Sequence, residues 1–215
     1  MNKKAALELS ITAIVVLIIA ITVLGLGIGF IKKQFGAGTK LVESQLAEIK
    51  ENLKQQVRTG GELLVFNVPD QITPGKPEGM VIGIRNTAGA KEGKDRVCFR
   101  VEVRCIKPFT PDSYCDSKNQ KNEVAVGGYD AETGEPVKGD RSWFKSILGE
   151  FNLKSYEGDV FDSEMLVRGL APDSYSMEIN VYKEPDGNDC SEQNFGTNYQ
   201  KSSLYSSKTF ILKVV

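Results

Sequence analysis

The sequence predicts a mainly β protein carried on an N-terminal helix. A transmembrane helix continues into an amphipathic stem, and an antiparallel β-sandwich with a short helical insertion follows. Three observations predict this. Residues 11–31 contain no charged side chain. Residues 42–57 repeat apolar positions at steps of three and four, the spacing of one helix face. From residue 62 onward, short runs alternate apolar and polar side chains between clusters of Gly, Pro, Asn and Asp, the pattern of half-buried strands. In chain order, residues 1–9 form a short cytoplasmic leader and helix start, 10–31 the span, 32–60 the stem and 61–215 an extracellular sandwich domain, with 116–150 an insertion in it.

Composition narrows the function before any motif is considered. The chain has 215 residues, 27 basic and 28 acidic, for a net charge of −1. No global field recruits nucleic acid. Histidine is absent, which removes the commonest acid/base catalyst and metal ligand. No nucleotide loop, nucleophile elbow or zincin motif is present. The expectation is therefore a protein that is not an enzyme, with no catalytic residue, no metal and no cofactor. Four cysteines, all from Cys98 onward, suit a disulfide-bearing domain outside a reducing cytosol.

The apolar run of residues 11–31 matches the ~20 residues that a helix needs to cross the hydrocarbon. It is too long for the apolar region of a secretory signal, and KKQFGAGTK beyond it offers no small-residue cleavage site. Lysines flank the run on both sides, so the positive-inside rule gives no decisive orientation. The cysteines and the shortness of the leader favour a cytoplasmic N-terminus and a domain at the cell surface. Along the helix, Ala6, Ser10, Ala13, Leu17, Ala20, Leu24 and Gly27 fall on one stripe, and five of the seven are small. Gly25 and Gly29 form a G-x-x-x-G pair. Small residues let membrane helices approach closely, so the expected partners are the membrane and further copies of this helix. Equally, alanine and glycine are common in membrane helices. Glu8 reads either as an interfacial first-turn acid near the positive end of the helix dipole or as an assembly residue.

Lys4-Ala5 followed by Ala6-Leu7, Glu8 and a long apolar helix resembles the class III signal of archaeal type IV pilin-like proteins and archaellins, over about the first 35 residues. The resemblance implies cleavage after Lys4 and Ala5, a mature chain that begins at Ala6, and a retained helix that assembles into a filament. It also implies that Glu8 pairs with a neighbour's amino terminus. Glu8 would be the third mature residue, where that family's glutamate is usually the fifth. An uncleaved single-pass surface protein, using its outer domain for binding or adhesion to a surface ligand or protein partner, is the alternative.

In the stem, Val42, Leu46, Ile49, Leu53 and Val57 make a narrow apolar stripe that ends at Gly60-Gly61. The stripe has three available partners: the following domain, a neighbour's stem or the membrane surface. Strands are expected in ELLVFNV, GMVIGIR, RVCFRVEVRCI, EVAVGGY, FNLKSY, EMLVRGL, SYSMEINVY and SKTFILKVV. In the third, Val97, Phe99, Val101, Val103 and Cys105 take the buried face, with Cys98, Arg100, Glu102 and Arg104 on the wet one.

Leu170, Pro172 and Tyr175 in LAPDSYSMEINVY resemble the L-x-P-x-x-Y lead-in to the penultimate strand of fibronectin-type and other immunoglobulin-like domains, where the tyrosine turns a corner by bonding back to the chain. That resemblance makes the sandwich immunoglobulin-like and sets its third strand beside its penultimate one, antiparallel. It thereby implies disulfides Cys98–Cys190 and Cys105–Cys115, in preference to the other two pairings and to a four-thiolate zinc site. In the insertion, Asp140 is placed to cap a short helix presenting Trp143, Phe144, Ile147 and Phe151. That helix either plugs an open end of the sandwich or offers a contact patch. Asp186, Asn188 and Asp189 are spaced as calcium ligands but lack a full binding-loop pattern, and read as a polar turn.

Overall fold

The computed structural model describes residues 3–146, 148–191 and 204–215, with side chains described for 13–28 and, within those ranges, from 46 onward. The chain divides into two compact units, Met1–Gln45 and Leu46–Val215. Helix α1 runs from Lys3 to Thr59 without a break, so Gly36 and Gly38 do not interrupt it and span and stem are one element. It stops at Gly60, whose amide bonds back to the Gln56 carbonyl at 2.7 Å. A Cβ at Gly60 would lie 2.4 Å from that carbonyl oxygen, so glycine is required at this stop.

Among the described residues nine strands follow. They are β1 (Leu64–Asn67), β2 (Gln71–Ile72), β3 (Glu78–Arg85), β4 (Arg96–Pro108), β5 (Val124–Gly128), β6 (Glu150–Lys154), β7 (Gly158–Met165), β8 (Asp173–Lys183) and β9 (Leu204–Val214). One sheet has the order β1-β3-β7. The other has the order β2-β9-β8-β4-β5, with β6 also pairing β4. Pairings are antiparallel except for the short β2–β9 ladder. The result is a β-sandwich. Its core sits between the sheets and includes Leu64, Met80, Ile82 and Ile84 from one side and Phe99, Val101, Val103, Met177, Ile179 and Leu212 from the other.

A second cluster lies on the other face of the three-stranded sheet. There Leu53 and Val57 of α1 meet Val65, Val81 and Val160, with Leu46 and Ile49 packed alongside. Of the three partners open to the stem stripe, the following domain is the one that Leu46, Ile49, Leu53 and Val57 contact; the side chain of Val42 lies outside the described residues. Glycines make the room. A Cβ at Gly158 would lie 2.1 Å from Val57 Cγ1, one at Gly83 2.6 Å from Val57 Cγ2, and one at Gly79 3.0 Å from Leu46. This is why the unit boundary falls at residue 46, inside the stem, with Leu46–Thr59 belonging to the sandwich.

Three expectations need correction, and one strand was not expected. The sixth expected strand, EMLVRGL, overlaps β7 only at Glu164 and Met165. The strand is GDVFDSEM, selected by full-length pairing with β3, and its two outward aspartates mask the alternation. The short helical part of the insertion is there, but among the described residues no α-helix follows Asp140. A single 3₁₀ turn spans Gly139–Arg141, without a side-chain cap, and Phe151 belongs to β6. Extended pairing overrides helix there: the Trp143 amide bonds to the Val126 carbonyl, the Leu166 amide to the Trp143 carbonyl, and Phe144 bridges Met165. Trp143, Phe144 and Phe151 are core residues, and Ile147 lies outside the described residues. Strand β4 has no wet face over Arg100 and Glu102, both of which are buried. Finally, β2 is too short for any periodicity to reveal.

Candidate functional site

Two regions of this chain invite a functional reading, the exposed helix and the sandwich's buried polar groups. Residues 13–28 of α1 are exposed at every position. Their sequence, AIVVLIIAITVLGLGI, has one polar side chain, Thr22, whose hydroxyl donates to the Ile18 carbonyl at 2.8 Å. Eleven large aliphatic side chains here are between 49% and 71% exposed. At about 1.5–3 kcal/mol for each such side chain taken from full exposure out of water, and with each roughly half to two-thirds exposed, covering this surface is worth on the order of 10–20 kcal/mol. A helix that is apolar all round is one that is buried, in protein or in lipid.

Within that stretch Ala13, Leu17, Ala20, Leu24 and Gly27 are all exposed. Gly25 and Gly27 have nothing within 4 Å of the place a Cβ would occupy, so their small size meets no requirement of the described chain. The side chains of Lys4, Ala5, Ala6, Glu8 and Ser10, and the surroundings of Gly29, lie outside the described residues. Among the described residues no helix is long and apolar enough to cross a membrane. In α1 the apolar stretch so covered is 13–28, shorter than the ~20 residues of a span.

In the sandwich, Cys98 bonds Cys190 and Cys105 bonds Cys115. Cys98, Cys190 and Glu150 come close enough to suggest a metal-binding cluster, but the sulfurs are joined to each other and are not free thiolates. Tyr175 is buried, and its hydroxyl donates to the Ala171 carbonyl at 3.0 Å, the turn beginning at Leu170 and Pro172. Asp189, of the acidic turn, is held by Lys94 at 3.4 Å and by Ser191. Its carboxyl is held below the usual range, first by the Ser191 hydroxyl.

The most enclosed polar cluster centres on Glu102, fully buried in β4. Its carboxylate accepts from the Ala131 amide (2.9 Å), Arg104 Nη1 (3.3 Å), Asn180 Nδ2 (3.3 Å) and the Tyr182 hydroxyl (3.1 Å). Desolvation, followed by the Glu102 charge, pushes the Tyr182 phenol well above its usual range. Beside it, Arg100 pairs with Glu150 at 2.8 Å and lies over the Tyr129 ring. Through the Ala131 amide the cluster ties the residue 129–131 turn onto β4. Residue types alone did not reveal it, because a strict period of two placed these side chains in water.

Comparison with known proteins shows no family for this chain, and the structural likenesses are too slight to argue from. No protein-family description matches the chain, and no curated protein matches it either. Solved structures do. The CARDB domain of the PF1109 protein from Pyrococcus furiosus is similar over 71% of this chain and 85% of its own, at 13% identity and a TM-score of 0.35. A superoxide reductase from Ignicoccus hospitalis matches over 72% and 81%, at 8% identity and a TM-score of 0.34. A PapD-like domain of human CEP192 matches over 71% and 83%, at 12% identity and a TM-score of 0.31. Likeness at this level carries no functional argument.

Proposed function

We propose that this chain is a membrane-anchored, pilin-like structural subunit of a cell-surface filament. In this reading α1 is both single-pass anchor and assembly helix, and an immunoglobulin-like sandwich is displayed outside the cell. The observation that carries it is the exposed, all-round apolar surface of residues 13–28. A surface worth on the order of 10–20 kcal/mol is comparable to the whole stability of an ordinary domain, which favours a cover of lipid or neighbouring helices. The charge-free run extends through residue 31, long enough to span.

Further observations support the rest. Strands β1, β3 and β7 in one sheet and β4, β8 and β9 in the other, with Tyr175 bonded back to Ala171, accord with an immunoglobulin-like sandwich. Two disulfides favour an oxidising compartment. On this reading a peptidase removes the leader after Lys4 and Ala5, and Ala6 becomes the amino terminus. Glu8 then meets a neighbour's terminus, while Ser10, Ala13, Ala20, Gly25 and Gly29 allow close helix contact. The role is structural, without catalysis or cofactor.

Mass measurement of the native N-terminus tests processing, with a mature chain starting at Ala6 expected; an intact Met1 refutes the processed subunit. Electron microscopy of cells tests assembly. Gly25→Leu and Glu8→Gln chains should reach the membrane yet form no filaments, and filaments unaltered by both changes refute the assembly helix.

A further inference from the structure

One end of the sandwich carries a groove of about 430 Å³, bounded by the loop after Cys115, by β5, by the turn leading to Trp143 and by the turn at Arg168–Leu170. That volume lies in the range of small-molecule sites, about 300–1,000 Å³. Its floor is apolar, with Val126, Trp143 and Leu170 among the lining residues.

Trp143 is the only tryptophan of the chain and is only 4% exposed. Its backbone is pinned on both sides, by Val126 and by Leu166, and its ring stands edge-on to Tyr175. The indole N–H donates to no acceptor among the described residues, yet it is not among the buried polar atoms sealed without a partner. Trp143 itself lines the groove. A buried indole N–H usually has a partner, and here the partner's place is in the groove.

The rim supplies complementary groups. The Arg168 guanidinium and the Lys118 ammonium make no ion pair or side-chain hydrogen bond among the described residues, whereas Arg141 is held by Asp130 at 3.0 Å. Asp116 is fixed as an acceptor. Its carboxylate receives the Lys118 and Asn119 amides and the Asn119 side chain at 2.7–3.1 Å, and Asp140 also lines the groove. Donors and acceptors thus both line the groove, together with apolar side chains. A simple anion would use only the donors. A sugar hydroxyl both donates and accepts, and a carboxylate suits a free guanidinium through two parallel bonds.

We propose that this groove binds an acidic sugar, a pyranose bearing a carboxylate. The carboxylate sits on Arg168, assisted by Lys118, and the ring hydroxyls are shared between the Trp143 indole N–H and the Asp116 and Asp140 carboxylates. This site is independent of whether α1 assembles, since it is built wholly from the sandwich.

The single tryptophan makes the test direct. The full chain in detergent micelles is titrated with glucuronate, glucose and acetate at constant ionic strength, following tryptophan emission, with calorimetry in parallel. Glucuronate should give a saturable change, with glucose and acetate each at least tenfold weaker. Arg168→Gln should weaken glucuronate at least tenfold with unchanged thermal melting, and Lys118→Gln should weaken it less. Trp143→Phe, followed by calorimetry, should lose affinity while remaining folded; should it unfold, the Arg168 and Lys118 variants decide. Absence of saturable binding by both readouts overturns the proposal. Acetate binding as tightly as glucuronate makes this a plain anion site, and glucose doing so makes it an uncharged-sugar site; either result also overturns it, as does an Arg168→Gln chain that binds normally.

Discussion

The docking of α1 on its sheet makes a quantitative prediction about Gly158. A methyl group added there would lie 2.1 Å from Val57 Cγ1 and 3.2 Å from both Val57 Cβ and the Val57 carbonyl oxygen. Val57 is fully buried, and its other methyl group is packed closely against Gly83, where a Cβ would lie 2.6 Å from it. Overpacking of this kind costs about 1–3 kcal/mol, offset in part by the ~0.5–1 kcal/mol by which alanine ordinarily outperforms glycine inside a strand. Val57→Ala alone removes two methyl groups and leaves a cavity, costing about 2 kcal/mol. In the double variant the deleted Cγ1 vacates the position that the new methyl needs. The pair should therefore be destabilised by about 2 kcal/mol, well short of the sum of the single effects, with a coupling of about 1 kcal/mol or more. Urea or thermal unfolding of the detergent-solubilised chain, read by Trp143 emission, resolves this, since each kcal/mol moves the melting temperature by about 2–4 °C in a unit of this size. A harmless Gly158→Ala, or strict additivity, would show that the helix does not lie in this glycine-lined groove.

Other outcomes follow from the same contacts. Lys50→Ala breaks the ion pair with Asp162 at the edge of that groove, but both side chains are more than 40% exposed, so the loss should stay below about 1 kcal/mol; Asp162 is held below the usual range chiefly by its Lys50 hydrogen bond, so that contribution is present above the unfolded carboxyl's pKa and fades as pH falls through the lowered one. Glu102→Ala strands buried donors and should cost about 3–5 kcal/mol in urea unfolding, whereas Tyr175→Phe, which loses one bond to an exposed turn, should cost about 1 kcal/mol. Because the Tyr182 phenol is raised in the folded state, its contribution is complete below the unfolded phenol's pKa and is lost as pH climbs above it. Tyr182→Phe should flatten the alkaline limb of a stability–pH curve, and an unchanged limb would contradict the burial argument. Cys98 and Cys190 are 92 positions apart and Cys105 and Cys115 only 10. In the chain-entropy account, replacing the first pair by serines should therefore cost about 4–5 kcal/mol and the second about 3.

Much of this architecture is written in local pattern. The third and eighth expected strands, the stop at Gly60 and the Tyr175 corner are all visible in residue order, because each depends on neighbours within a few positions. What escaped depends on distant partners. β7 is a strand because β3 runs beside it, and its Asp159 and Asp162 conceal that. Trp143 and Phe144 are extended because β5 and β7 hold their backbone. Glu102 and Arg100 alternate as exposed residues should, yet β6 and the 129–131 turn bury them. The groove was illegible for the same reason: Lys118, Trp143 and Arg168 lie on three separate segments. One missed feature did leave a signal. Gly83 and Gly158 lie in strands, where glycine often marks close approach by another backbone.

The stripe from Leu46 to Val57 advances beside β3, with Leu46 against Gly79 and Val57 against Gly83. The helix and that strand therefore run in the same sense, side by side. Tension applied through the helix reaches the sandwich as shear along a row of aliphatic contacts, all of which must slip together, and not as peeling of one residue at a time. The rate at which such a row gives way, and not the equilibrium stability of the domain, sets how long the docked helix would hold under load.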